Sequence, residues 1–314
     1  MRKRLVSLLP LIFEMIVAPL RLMPIKWSRR LGEAVGSVAY LFLSNRKKIA
    51  LENLEIVFSD SDETWRHRVL KSSTRKWGCT LFEVLVLVGG KRLDESEKSV
   101  SIEGIEHLEA ALSEGKGVVA ASGHVGNFPL LLYTLNKKNY PTGVIIRLPE
   151  NEKLGPWLKE LIENIGIKTL PASPRIECVR QSTKALRAGE TVFLQVDINA
   201  RHSGGVPIEF FGLWVPTFPG AAVFAQRTGA PLVPMFIIRD GPDRHKLIIR
   251  PPIYLERTKD RQKQVYETLV QLTRMLEDVI REHPEEYWWF HRRFRKAFRE
   301  PLKEIPDSND QIDD

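Results

Sequence analysis

Cysteine is scarce in this sequence, whose 314 residues include two thiols, Cys79 and Cys178. Two thiols are too few for a disulfide framework or for a zinc site built from four cysteines. Long apolar runs are missing too, because Glu14 and two prolines interrupt the most hydrophobic stretch, residues 5–20 (LVSLLPLIFEMIVAPL). With a mean hydropathy of −0.20, the chain is not a polytopic membrane protein.

Several motifs are absent as well, and each absence removes a class of function. No Gly-x-Ser-x-Gly segment occurs, which argues against a serine hydrolase of thioesters or lipids. The glycines at 204–205 are not followed by Gly-Lys-Ser/Thr, so they do not form a P-loop. No helix-turn-helix, zinc spacing or RNA-binding signature points to a nucleic-acid partner. The composition, 43% hydrophobic and 27% charged residues, is that of a globular protein.

Positive charge is concentrated at the N-terminal side of the chain. Residues 1–50 contain ten Lys and Arg against two acidic residues. Together with the apolar stretch at 5–20, this predicts an uncleaved membrane anchor within residues 1–45, either spanning the bilayer or lying in its interface. A buried core helix with basic ends is the alternative. A second apolar stretch, 31–43, is predicted to be a helix packed on the body or lying along the membrane.

The rest of the chain, residues 46–300, alternates between strand-like and helix-like patterns. Short apolar runs predict strands at 117–122, 142–147, 167–170, 191–196, 232–238 and 247–249. Amphipathic segments predict helices at 60–88, 130–135, 152–165, 176–188, 221–227 and 262–282. This alternation predicts an α/β fold with a mixed, largely parallel sheet flanked by helices. The acidic tail at 301–314 is predicted to be disordered.

A polar cluster follows the first of these buried strands. The strand at 117–122 runs into Gly123, His124 and, after Gly126, Asn127. In α/β proteins, ligands bind at the carboxyl ends of the strands. Asn127 is suited to cap the helix that follows, which presents His124 at a strand-to-helix corner as a candidate general base. The alternative is a histidine that only hydrogen-bonds within the turn.

The segment 123–128 (GHVGNF) resembles the signature block of the bacterial lipid A biosynthesis acyltransferases, which are lysophospholipid acyltransferase-like. Three other stretches resemble further blocks of that family in the same order. They are a basic segment with Asn53-Leu54 at 46–58, a glycine-rich segment at 197–234 and an aromatic and basic segment at 283–294.

This resemblance implies an acyltransferase domain over residues 46–300. Such an enzyme transfers a fatty acyl chain from a thioester, of acyl carrier protein or coenzyme A, to a hydroxyl of a lipid A precursor or related glycolipid or lysolipid. It acts in lipopolysaccharide biosynthesis at the cytoplasmic face of the bacterial inner membrane. The reaction uses a general base, here His124, and needs neither a metal nor a redox cofactor.

The chain departs from the family at one position. The family pattern is His-x4-Asp/Glu, whereas Pro129 stands where the acidic residue is expected. Two carboxylates are candidates for its role. Glu209, an acidic residue among apolar ones, is the favoured candidate, and Asp197, which follows the strand at 191–196, is the second. Glu209 facing solvent and Asp197 pairing with Arg201 are the structural alternatives. If neither carboxylate replaces the missing acidic residue, the chain is a degenerate membrane-surface protein that binds lipid or acyl carrier protein.

Six residues are candidates for contacts with substrate. They are Gly126, Asn127, Arg147, Arg201, Arg292 and Arg293. The last two begin a basic run interleaved with aromatic residues, a mixture typical of a membrane interface. The run is predicted to meet lipid phosphates, anionic headgroups or an acidic carrier protein, and a solvated helix face is the alternative.

Overall fold

The structure, a computed structural model, describes residues 9–88, 99–200, 205–255 and 260–298. Arg201 and the tail at 301–314 lie outside these ranges. The strands are β1 (Val100–Glu103), β2 (Val118–Ser122), β3 (Thr142–Ile146), β4 (Lys168–Pro171), β5 (Thr191–Gln195), β6 (Val206–Phe210), β7 (Leu213–Thr217), β8 (Leu232–Arg239) and β9 (His245–Ile249). The helices are α1 (Leu9–Leu22), α2 (Ile25–Phe42), α3 (Ser44–Val57), α4 (Glu63–Val88), α5 (Ile105–Ser113), α6 (Phe128–Lys137), α7 (Leu154–Asn164), α8 (Arg175–Arg187), α9 (Gly220–Thr228), α10 (Arg261–Glu282) and a short 3₁₀ turn, Pro284–Glu286.

Within the described residues, seven strands form one sheet in the order β1-β9-β8-β2-β5-β3-β4. The strands from β8 to β4 in that order are parallel to one another, and β9 is antiparallel to β8 and parallel to β1. The prediction of a mixed, largely parallel sheet flanked by helices is therefore confirmed. The predicted strands match observed ones, with ends that differ by at most two residues. Strand β1, helices α3 and α5 and the separate β6–β7 hairpin were not predicted.

The centre of the sheet is buried on both faces, as the sequence of β2 illustrates. All five residues of β2 (VVAAS) are buried. Val119 and Ala121 belong to a core cluster that includes residues of α8, α9 and α10. Val118 and Ala120 belong to a second cluster, which includes residues of α5 and α6. Because successive side chains of a strand point to opposite faces, a strand covered on both sides is a continuous apolar run.

Helix α2 lies against α4 with almost no side chain between them. Gly32 and Gly36 of α2 face Gly78 of α4, and a Cβ atom added to Gly32 would lie 2.6 Å from the carbonyl oxygen of Gly78. The predicted helix at 31–43 thus packs on the body. No helix among the described residues is both long and apolar enough to cross a bilayer.

We expect Gly36→Val to lower the free energy of unfolding by about 1–3 kcal/mol, the usual cost of overpacking a tight contact. A Cβ atom at this position would lie 2.5 Å from the carbonyl oxygen of Thr74 on α4. Ala34→Val is the matched control, because Ala34 is exposed on the same helix. Denaturant unfolding of both variants in detergent gives the comparison. Equal stability of the two variants would contradict the contact.

Candidate active site

His124 lies in a tight turn between β2 and α6. Gly126 in this turn has φ +57°, and a Cβ atom there would lie 1.9 Å from the carbonyl oxygen of Ile237. The position therefore admits only glycine. Asn127 caps α6, because its side-chain oxygen accepts a hydrogen bond of 3.1 Å from the N–H of Leu130. The side chain of His124 is 28% exposed, so the imidazole is reachable from solvent.

The neighbouring strand brings a carboxylate to this imidazole. β5 runs parallel to β2 with Ser122 opposite Gln195, and the N–H of Val196 donates to the carbonyl of Ser122. Asp197 follows at the same edge of the sheet. Its Oδ1 lies 2.8 Å from Nδ1 of His124, and its Oδ2 accepts a hydrogen bond of 3.0 Å from the main-chain N–H of His124. One carboxylate thus fixes both the ring and the backbone of the histidine.

The electrostatics of this pair favour a charged carboxylate. Asp197 is 1% exposed, and such burial by itself raises a carboxyl pKa. The charge and hydrogen bonds of His124 outweigh burial and hold the pKa of Asp197 well below its usual range. Burial also opposes the charged form of His124, but the charge and hydrogen bond of Asp197 outweigh it and raise the pKa of the imidazole. With its proton on Nδ1 facing Asp197, the neutral ring keeps the lone pair of Nε2.

The segment after α10 completes the site. The N–H of Trp288 donates to the carbonyl of His124 at 3.0 Å, and Val125 pairs with Tyr287 in an antiparallel bridge. Burial, with the charge of Asp197 adding to it, raises the pKa of the Tyr287 phenol well above its usual value. The ring of His291 stacks on that of His124 with centroids 6.5 Å apart. Burial lowers the pKa of His291 and so favours the neutral form of this second imidazole.

Neither Tyr287 nor His291 was predicted as part of the site. The sequence shows them as members of an aromatic and basic segment, and no spacing relates them to His124. The prediction that these aromatic residues lie at a membrane interface is also wrong for most of them. Tyr287, Trp289, Phe290 and Phe294 are buried in the core, while Trp288 is partly exposed.

Arg293 does not lie on the surface, as the basic run suggested. It is 2% exposed, and its guanidinium donates to Oδ1 of Asn199 at 2.6 Å and to Oγ1 of Thr217 at 2.8 Å. Its positive charge also helps to lower the pKa of Asp197, after the larger effects of burial and His124. Arg293 thus binds other residues inside the protein, next to the site, whereas Arg292 is exposed.

Glu209 is not the carboxylate that contacts His124. Its side chain is exposed on β6, while those of Ile208 and Phe210 on either side are buried. The alternation of a strand turns Glu209 away from the core. Among the described residues, no hydrogen bond or ion pair joins Glu209 to His124; Asp197 occupies that place.

The other candidate substrate contacts divide into buried and exposed residues. Gly126 and Asn127 are buried, and both functional groups of the Asn127 amide are engaged within the protein. We therefore assign them to the architecture of the turn and not to substrate contact. Arg147 is exposed directly after β3, whose carboxyl end lies at the same edge of the sheet as His124. Arg201 lies outside the described residues.

An imidazole oriented by a buried carboxylate, at the carboxyl edge of a largely parallel sheet, is the arrangement of an α/β enzyme that moves a proton. The sequence profile of the bacterial lipid A biosynthesis acyltransferases matches residues 5–296, and the chain belongs to that family. It is an acyltransferase, and the family inferred from the signature blocks is confirmed.

Named relatives agree with this assignment. A lipid A biosynthesis palmitoleoyltransferase of Escherichia coli is 25% identical over 267 residues, which cover 84% of this chain and 84% of the relative. A lipid A biosynthesis lauroyltransferase of the same organism is 25% identical over 276 residues, 85% of this chain and 84% of the relative. A phosphatidylinositol mannoside acyltransferase of Mycobacterium tuberculosis is 32% identical over 138 residues, 42% of each chain.

Proposed function

We propose that this enzyme transfers a fatty acyl chain from an acyl thioester to a hydroxyl of a lipid A precursor or a related glycolipid. The names of the relatives support the acceptor class, since both lipid A and phosphatidylinositol mannosides carry sugars. The donor is a thioester of acyl carrier protein or of coenzyme A. Arg147 and Arg292 are our candidates for contacts with phosphate, because both are exposed.

The observation that carries the proposal is the contact of 2.8 Å between His124 Nδ1 and Asp197 Oδ1. The family pattern inferred from the sequence expects an acidic residue where this chain has Pro129, and without a substitute the imidazole would lack an orienting partner. Asp197 supplies that partner from the neighbouring strand. This favours an active enzyme over a degenerate protein that only binds lipid or carrier protein.

The reaction follows from these two side chains. Nε2 of His124 removes the proton of the acceptor hydroxyl as its oxygen attacks the thioester carbonyl. The new C–O bond forms a tetrahedral oxyanion, which expels the thiolate when the C–S bond breaks. The imidazolium then returns its proton to the sulfur. Asp197 stabilises the imidazolium between the two steps, as an orienting carboxylate does in a serine protease.

Product analysis tests this proposal. The full-length protein is incubated with acyl carrier protein thioesters or acyl coenzyme A and with candidate acceptors, and the lipids are analysed by mass spectrometry. We expect an acceptor whose mass rises by one acyl group and a free thiol in equal amount. Binding of lipid or carrier protein without any acylated product, across all donors and acceptors, would support the degenerate alternative instead.

The pH dependence of kcat/KM reports the base. Because Asp197 raises the pKa of His124 above the ordinary 6.5, we expect kcat/KM to fall as the pH decreases through a value above 6.5. Below that value His124 holds a proton and accepts none from the acceptor. Initial rates between pH 5 and 9 measure this limb. A limb that begins well below pH 6.5 would contradict the coupling of the two side chains.

We propose that α2 lies in the membrane interface, at the cytoplasmic face of the bacterial inner membrane. Large apolar side chains are exposed along this helix at spacings of three or four residues. They are Trp27, Leu31, Val35, Val38, Leu41 and Phe42. Arg30 lies over the ring of Trp27 and Lys47 over that of Tyr40. An apolar face bordered by cations is typical of a helix on anionic lipid.

The double variant Leu31→Glu with Val38→Glu is expected to reduce binding to vesicles of phosphatidylethanolamine and phosphatidylglycerol at least tenfold. Removing two buried apolar side chains costs about 1.5–3 kcal/mol each, and 1.4 kcal/mol corresponds to about tenfold. Ile176→Glu is the control, since Ile176 is 80% exposed on α8. Vesicle flotation measures the bound fraction. An equal loss for Ile176→Glu would remove α2 as the specific contact.

A further inference from the structure

Helix α4 carries a buried carboxylate, Glu83, that is joined to the turn containing His124. Oε2 of Glu83 accepts a hydrogen bond of 2.8 Å from Nδ2 of Asn127. The same carboxylate accepts from Nε of Arg29 on α2 at 2.6 Å and from the guanidinium of Arg239 on β8 at 2.9 Å. Glu83 is therefore the point at which α2, α4, β8 and the turn meet.

The charge of Glu83 fixes which way the Asn127 amide points. Burial opposes ionisation of this carboxylate, but Arg239 and the other donors outweigh it and hold the pKa of Glu83 well below its usual range. An ionised carboxylate only accepts hydrogen bonds, so Asn127 must present Nδ2 to it. The amide oxygen then faces the N–H of Leu130 and caps α6. The cap and the turn thus depend on a residue of another helix.

The same face of α4 also holds the segment that pairs with the turn. Ser73 donates to the carbonyl of Tyr287 at 2.9 Å, and Lys76 lies 2.8 Å from the carboxylate of Glu286. The carbonyl of Glu286 in turn accepts the N–H of Gly126 at 3.0 Å. Residues three or four apart share one helix face. On this face of α4, Glu83 binds the turn that contains His124, and Ser73 and Lys76 bind the segment that pairs with the turn.

We propose that Glu83 is a positioning residue for the acyl transfer, which holds His124 in place through its hydrogen bond to Asn127. This inference rests on the proposed function of His124 as the base. Glu83 reaches no reacting atom in this arrangement, so its loss acts through the turn. The expected signature is a lower kcat with an unchanged KM.

The first test exchanges the polarity of the hydrogen bond. Asn127→Asp keeps a good helix cap but places a second carboxylate against Glu83, and we expect kcat to fall about 10²-fold, as for a small misplacement of a catalytic group. The double variant Glu83→Gln with Asn127→Asp restores the donor and acceptor between positions 83 and 127 and leaves the net charge of the cluster unchanged. Because Oε2 of Glu83 also accepts from Arg239, the NH₂ group that Glu83→Gln introduces there loses that bond, and we expect the double variant to recover part of the lost kcat.

Two further variants separate this effect from general damage. Asn127→Ser keeps a capping oxygen and removes only the donor to Glu83, so it should also lower kcat, and it decides the matter if the double variant does not fold. Asn136→Asp is the matched control, since Asn136 lies near the other end of α6, where it donates to Leu132 and Thr142. It should retain the kcat of the unmodified enzyme.

Hydrogen exchange of the full-length protein in detergent gives a readout that needs no acyl transfer. The N–H of Gly126 donates to Glu286, and the N–H of Trp288 donates to His124. Both N–H groups should exchange faster in Asn127→Ser and Asn127→Asp than in the unmodified protein. In the double variant they should exchange more slowly than in Asn127→Asp. If the unmodified protein transfers no acyl group, the proposed function fails while exchange still tests the coupling. An Asn127→Ser variant with the kcat or the exchange rates of the unmodified protein would overturn the role of Glu83.

Discussion

His124→Ala is expected to lower kcat by about 10²–10⁴-fold, the contribution of a positioned general base. The variant should remain folded, because the main chain of this residue is held independently by Asp197 and Trp288. The loss should be in kcat at saturating donor and acceptor, since the imidazole acts on the proton of the bound hydroxyl. Single-turnover measurements with an acyl thioester give this value directly, and near-ultraviolet circular dichroism confirms the fold.

His67→Ala is the matched control for this experiment. Its side chain is 33% exposed, close to the value for His124, and its Nδ1 also makes a hydrogen bond of 2.8 Å, to Tyr40. It lies on α4, where the exposed carboxylate of Glu63 is 3.5 Å from its Nε2, whereas the buried Asp197 contacts Nδ1 of His124. We expect its transfer rate to equal that of the unmodified enzyme. Full activity of His124→Ala would remove the base from its proposed role.

Asp197→Asn is expected to produce the second large loss, whereas Glu209→Gln should leave the rate unchanged. An amide at position 197 can present its NH₂ group to Nδ1, which stabilises the tautomer with the proton on Nε2. That tautomer has no lone pair at the reacting nitrogen. The equivalent change in a serine protease reduces kcat by about 10⁴-fold.

The two amide variants remove the same charge from different places and are measured side by side. Residual activity of Asp197→Asn should also show its acid limb at a lower pH, because the carboxylate that raises the pKa of His124 is gone. Thermal unfolding separates a catalytic loss from a lost fold. A large effect of Glu209→Gln combined with full activity of Asp197→Asn would reverse the assignment.

The sheet was predictable because its central strands are buried on both faces and therefore appear as apolar runs such as β2. The β6–β7 hairpin was missed, since its strands are short and contain Pro207 and Pro216. The start of α4 was also misplaced. The predicted helix begins at residue 60, but the observed helix begins at Glu63, and Asp62 accepts the N–H of Trp65. Local sequence patterns therefore predicted the presence of an element more accurately than the residues at which it begins and ends.

The choice between Asp197 and Glu209 could not be made from the sequence. It depends on β5 lying beside β2, and strand order is a tertiary property that spacing does not encode. The burial of Arg293 was equally hidden, because its partners Asn199 and Thr217 come from distant parts of the chain. A run of basic residues shows the charge of a segment, but it does not show which of its members face inward.

The pairing of the catalytic turn with the segment after α10 has a consequence for the order in which the enzyme is made. Gly126 and its partner Glu286 are separated by the whole of the chain from α6 to α10. A ribosome releases the turn first, and its partner only after most of the sheet has been synthesised. Closing a contact between such distant segments costs chain entropy, and the contact cannot form before both segments have been synthesised. His124 therefore acquires its final setting only when the body of the protein is complete, and a nascent chain has no assembled site with which to act on lipid.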